Sequence, residues 1–397
     1  MKARGLSRIL LASLLVAALA VAGCSSGGSA SSGGGASGDK EPIKVGAILS
    51  LTGPYAALGA AEKKALDLEV QRLNDAGGVA GHPIEVVVED DATDEAKAVA
   101  AAAKLIDQDQ VVAILGATGT GQSMAIRGDI DRAGIPQISM AGGTAITDKF
   151  DKLVFQTPWS NKIVVPFVLN RMKALGLTKV GLITDSGGYG KDGLAVIKAE
   201  APKAGIEIVS EQTFNAGDAD VSAQLTKIRG ANPQAVLMWT AGKDAANILK
   251  TARDLGIEQP FFGGSGQARA EFPTGAGEAA EGFEFGTGKF LLPESWGKDT
   301  EEYKVASDFV QRFEAKYGEK PDIFAGHAYD ALAIFAAALK ATEGDTDPAK
   351  LRDAIEKTTG LVGMGGKFTF TPTDHNGLTA DDLFMYKIQG GTWVPAQ

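Results

Sequence analysis

The chain has 397 residues, 44% of them hydrophobic, with a formal charge of −10, enough for two domains with full cores. The acidic balance argues against nucleic acid as a partner. One cysteine and three histidines far apart in sequence, His82, His327 and His375, exclude an intramolecular disulfide and leave little material for a transition-metal site.

Lys2, Arg4 and Arg8 precede an apolar run from Ile9 to Val21, which is short for a membrane span and has the plan of a secretory signal. The run ends in Val21-Ala22-Gly23-Cys24, which resembles the bacterial lipobox. That resemblance implies cleavage after residue 23 and lipid attachment at Cys24, with an ordinary cleaved signal as the alternative. Ser25 to Asp39 is almost wholly Ser, Gly and Ala, too poor in apolar mass to fold, so residues 24–41 are expected to form a flexible tether. No later segment reads as apolar enough to cross a membrane.

From Ile43 the chain alternates short apolar runs with helical patterns. Ile43–Leu49, Ile84–Val88, Val111–Leu115 and Gln137–Met140 are expected strands, and Ala61–Asn74, Glu95–Ile106 and Gln122–Ala133 expected helices. After Phe155-Gln-Thr-Pro158, read as a crossing segment, the rhythm restarts. Strands are expected at Val180–Thr184, Ile206–Thr213, Ala235–Trp239 and Pro260–Gly263, with helices at Lys162–Leu175, Lys191–Ala204, Val221–Arg229 and Asp244–Leu255. Alternation of this kind implies parallel sheets covered on both faces. The last third supplies only helices at Glu301–Lys316, His327–Thr342 and Leu351–Lys357 and strands at Phe368–Phe370 and Leu383–Ile388. The expected fold is therefore α/β, two doubly wound lobes joined by a multi-strand hinge. Residues 42–157 and 286–375 are assigned to lobe 1, and 158–285 and 376–397 to lobe 2. A cleft between such lobes is the natural ligand site.

One stretch in this pattern, GATGTGQS from Gly116 to Ser123, has the spacing of a phosphate-binding loop, G-x-x-x-x-G-K-S/T, except that Gln122 replaces the lysine. Gly119 and Gly121 allow close backbone approach, and the helix expected near Gln122 offers free N–H groups and the positive end of its dipole. The loop suits an anion that needs no extra cation, such as a single carboxylate.

Five stretches in order, IKVGAILSLTGPYAALG (Ile43–Gly59), ILGATGTGQSMA (Ile114–Ala125), GIPQISMAGGTAITD (Gly134–Asp148), SGGYGKDG (Ser186–Gly193) and PDIFAGHAYDAL (Pro321–Leu332), resemble the solute-binding proteins of branched-chain amino-acid ABC importers. The resemblance runs from Ile43 to Trp393 and implies the type I periplasmic-binding-protein fold. It implies that Thr120, with the backbone of Gly119, Gly121 and Gln122, receives the ligand's carboxylate. Ala141 would supply a carbonyl, and Gly143 or Thr144 stands at the family's threonine, with Thr144 preferred. Tyr189 matches a cleft tyrosine and Phe324 an aromatic wall, while Trp159 sits where a hinge residue can lie over the ligand.

Two positions depart from the family pattern. Where amino-acid binders carry an acid that pairs with the α-ammonium, this chain has Ser265, and Leu58 replaces an aromatic residue that Tyr55 could stand in for. A hydroxyl cannot offset burial of an ammonium as a carboxylate can; Asp185 or Asp244 are the candidate substitutes. Two ligand classes stay open: an aliphatic amino acid, or an aromatic or 2-oxo acid without the ammonium. Catalysis is not expected, because Gly263-Gly-Ser-Gly-Gln267 misses the last glycine of a nucleophile elbow. No cofactor or metal is implied. The implied partners are a small carboxylate and a membrane ABC permease, for a monomer anchored on the extracytoplasmic face; a sensory receptor of the same fold is the alternative.

Overall fold

The run IKVGAIL forms strand β1 (Ile43–Leu49), in which every residue but Lys44 is buried. Such a continuous apolar run belongs to a strand covered on both faces. The structure is a computed structural model that describes residues 40–396; the signal segment, Cys24 and nearly all of the tether lie outside the described residues.

From β1 the chain continues through α1 (Ala56–Asp75), β2 (Ile84–Asp90), α2 (Glu95–Asp107), β3 (Ile114–Gly116), α3 (Thr120–Ala125), α4 (Arg127–Ala133), β4 (Gln137–Ser139), α5 (Ala145–Asp148) and β5 (Val154–Gln156). The five strands form one parallel sheet in the order β2-β1-β3-β4-β5. A second series follows: α6 (Asn161–Ala174), β6 (Lys179–Asp185), α7 (Gly188–Ala204), β7 (Glu207–Phe214), α8 (Ser222–Gly230), β8 (Ala235–Trp239), α9 (Asp244–Asp254), β9 (Phe261–Gly263), α10 (Glu271–Ala276) and β10 (Glu284–Gly288). The remaining elements are α11 (Glu301–Tyr317), α12 (Ile323–Ala341), α13 (Pro348–Glu356), the hairpin β11 (Leu361–Gly363) and β12 (Gly366–Phe368), then β13 (Leu383–Gln389) and β14 (Thr392–Pro395). The second sheet has the order β14-β13-β10-β9-β8-β6-β7, parallel except for β13, which runs antiparallel to both of its neighbours. α12 packs along α1 on the first sheet's side, while β13 adds to β10 of the second.

Helix ends follow their capping residues. Asp94 accepts from Lys97 N, Thr300 from Tyr303 N, and Asp322 from Phe324 N and Ala325 N, each satisfying first-turn donors. The connections between the sheets are stitched by Asn376. Its Nδ2 donates to Pro158 O at 2.7 Å and Gln156 O at 3.3 Å, and its Oδ1 accepts Ser160 N at 3.3 Å.

The structure departs from the sequence expectation at several elements. Gln122–Ala133 is not one helix. α3 begins at Thr120 and ends at Ala125; at Ile126, burial of Ile126 and Ile130 in the core turns the chain into α4, and Gly128 offers little helix propensity against the bend. β5 is an additional strand that takes in Phe155 and Gln156, the first half of the expected crossing segment. Phe368–Phe370 is replaced by a hairpin, and β10 stays in the second sheet as far as Gly288. α12 is long and apolar enough, by composition, to cross a membrane, contrary to the reading of the sequence; most of it is buried, as in a core helix.

Candidate functional site

Each parallel sheet has a topological switch point, between β1 and β3 in the first and between β6 and β8 in the second. Connections leave the carboxyl ends of the strands in opposite directions there, opening a crevice. The two crevices face one another. Tyr55 and Leu58 follow β1, Thr118 to Thr120 follow β3, Tyr189 follows β6, and Ala241 follows β8; all line one cavity. Met140 to Gly142, Pro158, Trp159, Ser265, Gly266, Phe324 and His327 complete its wall.

The wall is aromatic and neutral. Among the described residues, no carboxylate, ammonium or guanidinium lines the cavity. His327 is buried, and burial drives its pKa down to about 3, so the imidazole is uncharged at neutral pH. Its ring stands edge-on to Phe324 and Trp159, with centroids 5.8 and 6.3 Å away. Burial also raises the phenols of Tyr55 and Tyr189 above their ordinary range. Carboxyl groups surround the cavity without entering it. Glu62 lies behind Thr118, whose hydroxyl donates to it. Asp185 accepts Gly187 N at 2.8 Å, and Asp244 accepts Gly217 N at 3.0 Å. Neither of these last two lines the cavity, and Asp185 Oδ2 is buried without a partner among the described residues.

Four buried side-chain atoms of cavity residues have no hydrogen-bond partner: Thr120 Oγ1, Trp159 Nε1, Ser265 Oγ and His327 Nδ1. An unpaired buried polar atom costs about 1–3 kcal/mol, so four around one cavity mark a place where a ligand supplies the missing partners.

Of the residues singled out in the sequence, Gly119, Thr120, Ala141, Tyr189, Ser265, Phe324, Trp159 and Tyr55 meet in this wall. Gln122 folds back, so that a Cβ at Gly119 would stand 2.1 Å from its Oε1. Gly121 lines a separate, more open pocket with Glu95 and Lys191. Gly143 backs onto the Thr120 side chain, and the Thr144 hydroxyl accepts Lys162 N at 3.0 Å. Tyr189 is not on a loop with few neighbours: it is buried in the first turn of α7, its ring stacked 6.1 Å from Trp239. The six-residue length of α3 also reduces the dipole assigned to the loop, leaving the hydroxyl and free N–H groups as its polar content. His327, Met140 and Ala241 went unnoticed in the sequence. His327 follows Phe324 by three residues on a helix and so shares its face, a signal that was available.

The match of a whole-family model decides the relationship. The description "Periplasmic binding protein" fits residues 42–392. The chain belongs to the periplasmic binding protein family. Members bind small-molecule ligands outside the cytoplasm. Over 349 residues it is 27% identical to a Leu/Ile/Val-binding protein homolog of Brucella melitensis, covering 87% of this chain and 91% of that one. Two solved family structures bracket the ligand question. The branched-chain amino acid transporter substrate binding protein LivJ of Streptococcus pneumoniae, in complex with isoleucine, is 31% identical with a TM-score of 0.79, covering 89% of this chain and 97% of that one. A solute binding protein of an ABC transporter from Rhodopseudomonas palustris, in complex with benzoate, is 25% identical with a TM-score of 0.80, covering 89% and 95%. Periplasmic binding proteins of this architecture thus accommodate both an amino acid and an aromatic acid.

Proposed function

We propose that this periplasmic binding protein is the solute-binding component of an ABC importer and closes around a small hydrophobic monocarboxylate that lacks a free ammonium. One observation carries the reading: the unpartnered buried atoms of Thr120, Ser265, Trp159 and His327 surround a cavity whose wall has no charged side chain. The Thr120 hydroxyl and the backbone N–H groups of Gly119 and Thr120, which line the cavity, receive the carboxylate. Tyr55, Tyr189, Phe324 and Trp159 enclose the apolar body. An ammonium would be buried without a carboxylate partner at Ser265, at a cost of several kcal/mol.

The rest of the assignment accompanies this reading. Residues 42–157 with 286–375 and 158–285 with 376–397 act as the two lobes, with the second boundary moved past Gly288, because β10 belongs to the second sheet. Cys24 carries a lipid that holds the monomer at the outer face of the membrane, and the closed form docks on the permease. A thermal-shift panel of benzoate, 4-methyl-2-oxopentanoate, leucine, isoleucine, valine and small amides tests the ligand class. The monocarboxylates raise the unfolding temperature, by the equivalent of about 2.7 kcal/mol at a hundredfold excess over Kd. A rise with the three amino acids alone overturns the reading in favour of the branched-chain amino acids, a second reading favoured by the isoleucine complex of the Streptococcus protein.

A further inference from the structure

Tyr189 reaches the cavity from the first turn of α7, and Asp192 follows it by three residues on the same helix. Asp192 lies outside the cavity wall and turns toward the opposite half of the molecule. Its Oδ2 accepts Thr144 N at 2.8 Å and its Oδ1 accepts Ala145 N at 3.0 Å. Both donors belong to the connection after β4, whose preceding residues Ala141 and Gly142 form part of the wall. Asn161, opening α6, adds Nδ2 to Asp192 Oδ2 at 2.7 Å and is itself fixed, since its Oδ1 accepts Trp239 Nε1 at 3.0 Å. The carboxylate thus takes three N–H donors, two from main chain of the other half. Charge-assisted bonds of this kind are about twice as strong as neutral ones. Neither backbone N–H has another partner among the described residues. When the halves part, both donors pass to water.

We propose that Asp192 is a cross-cleft latch, a positioning residue that clamps the Thr144–Ala145 backbone only in the closed form and thereby sets how long the ligand is retained. The retention part rests on the ligand reading above; the clamp itself does not. Hydrogen exchange at the Thr144 and Ala145 amides is measured in the wild type and in Asp192→Asn, with and without benzoate, beside stopped-flow release of benzoate. The variant is expected to lose about tenfold or more of the protection at these two amides, with Gln137–Ser139 unchanged. It should also release benzoate about tenfold faster at a nearly constant association rate. Equal exchange at both amides in the two proteins overturns the latch. Protection that depends on Asp192 while benzoate binds neither protein upholds the latch and overturns the carboxylate reading. Should D192N fail to fold, Thr144→Pro serves instead. Thr144 has φ −61°, which proline adopts, so that variant deletes one donor to Asp192, together with the hydroxyl that accepts Lys162 N, and leaves α7 untouched. It is expected to release benzoate faster and to expose the Ala145 amide, and wild-type values for both overturn the latch.

Discussion

Replacing Thr120 by valine separates binding from folding, because the two effects have opposite signs. Thr120 is 4% exposed and its Oγ1 has no partner, whereas its Cγ2 rests against Gly143, where a Cβ would stand 2.2 Å away. Valine keeps that methyl contact and the volume, and deletes only the hydroxyl. In the ligand-free protein the change removes an unsatisfied buried group, so the unfolding free energy stays level or rises, by at most about 1–3 kcal/mol. In the complex it deletes a hydrogen bond to a charged acceptor, about 1.5–3 kcal/mol, which weakens binding about 10- to 150-fold. Calorimetric titration with benzoate gives the affinity, and urea unfolding without ligand gives the stability. Unchanged affinity refutes the role of the loop. A loss of affinity matched by an equal loss of stability refutes the claim that the hydroxyl serves the ligand rather than the fold.

Gly188→Ala tests closure. A Cβ there would stand 2.4 Å from Gly121 N across the cleft. Overpacking of about 1–3 kcal/mol in the closed form alone should weaken benzoate binding about 5- to 150-fold, while alanine's helix propensity leaves the ligand-free protein as stable or more so; titration and thermal unfolding check the two signs. Asp330 gives a pH dependence. Its carboxyl accepts Met364 N at 2.6 Å and Gly365 N at 2.8 Å, yet burial pushes its pKa up to about 8. A pKa raised on folding contributes stability below about pH 4, the unfolded value, and that contribution is lost as pH rises through about 8. Urea midpoints should therefore fall between pH 5 and pH 9, with a shallower fall in Asp330→Asn; an identical slope in the two proteins counts against the assignment.

The legibility of the chain tracks the range of the interactions involved. Runs such as Ile43–Leu49 and Ala235–Trp239 declared themselves, because a strand buried on both faces must be apolar throughout. Thr120, Tyr189 and Ser265 were reached through the resemblance to the solute-binding proteins, which supplied the positions that composition alone does not mark. The break at Ile126 was hidden, since it depends on which core receives Ile126 and Ile130, a tertiary choice that helix propensity does not record. Thr144 and Gln122 show the same limit at side-chain scale. Both residue types suit a ligand, and only the surroundings reveal that one hydroxyl caps α6 and that one amide folds over Gly119. The neutrality of the cavity was half visible, through Ser265, but that Asp185 and Asp244 turn to neighbouring backbone needed the coordinates.

The interleaving of the two sheets also governs the order in which the molecule can assemble. β10 waits for β13, almost a hundred residues further on, and α1 waits for α12, more than two hundred residues away. Neither half can seal its core while the chain is emerging from a ribosome, so large apolar faces stay uncovered until late in synthesis. Loop-closure entropy must be met before those distant contacts reward it, which slows the final collapse. A chain that delays its own folding in this way remains threadable for longer, which suits passage through a membrane before the two halves lock.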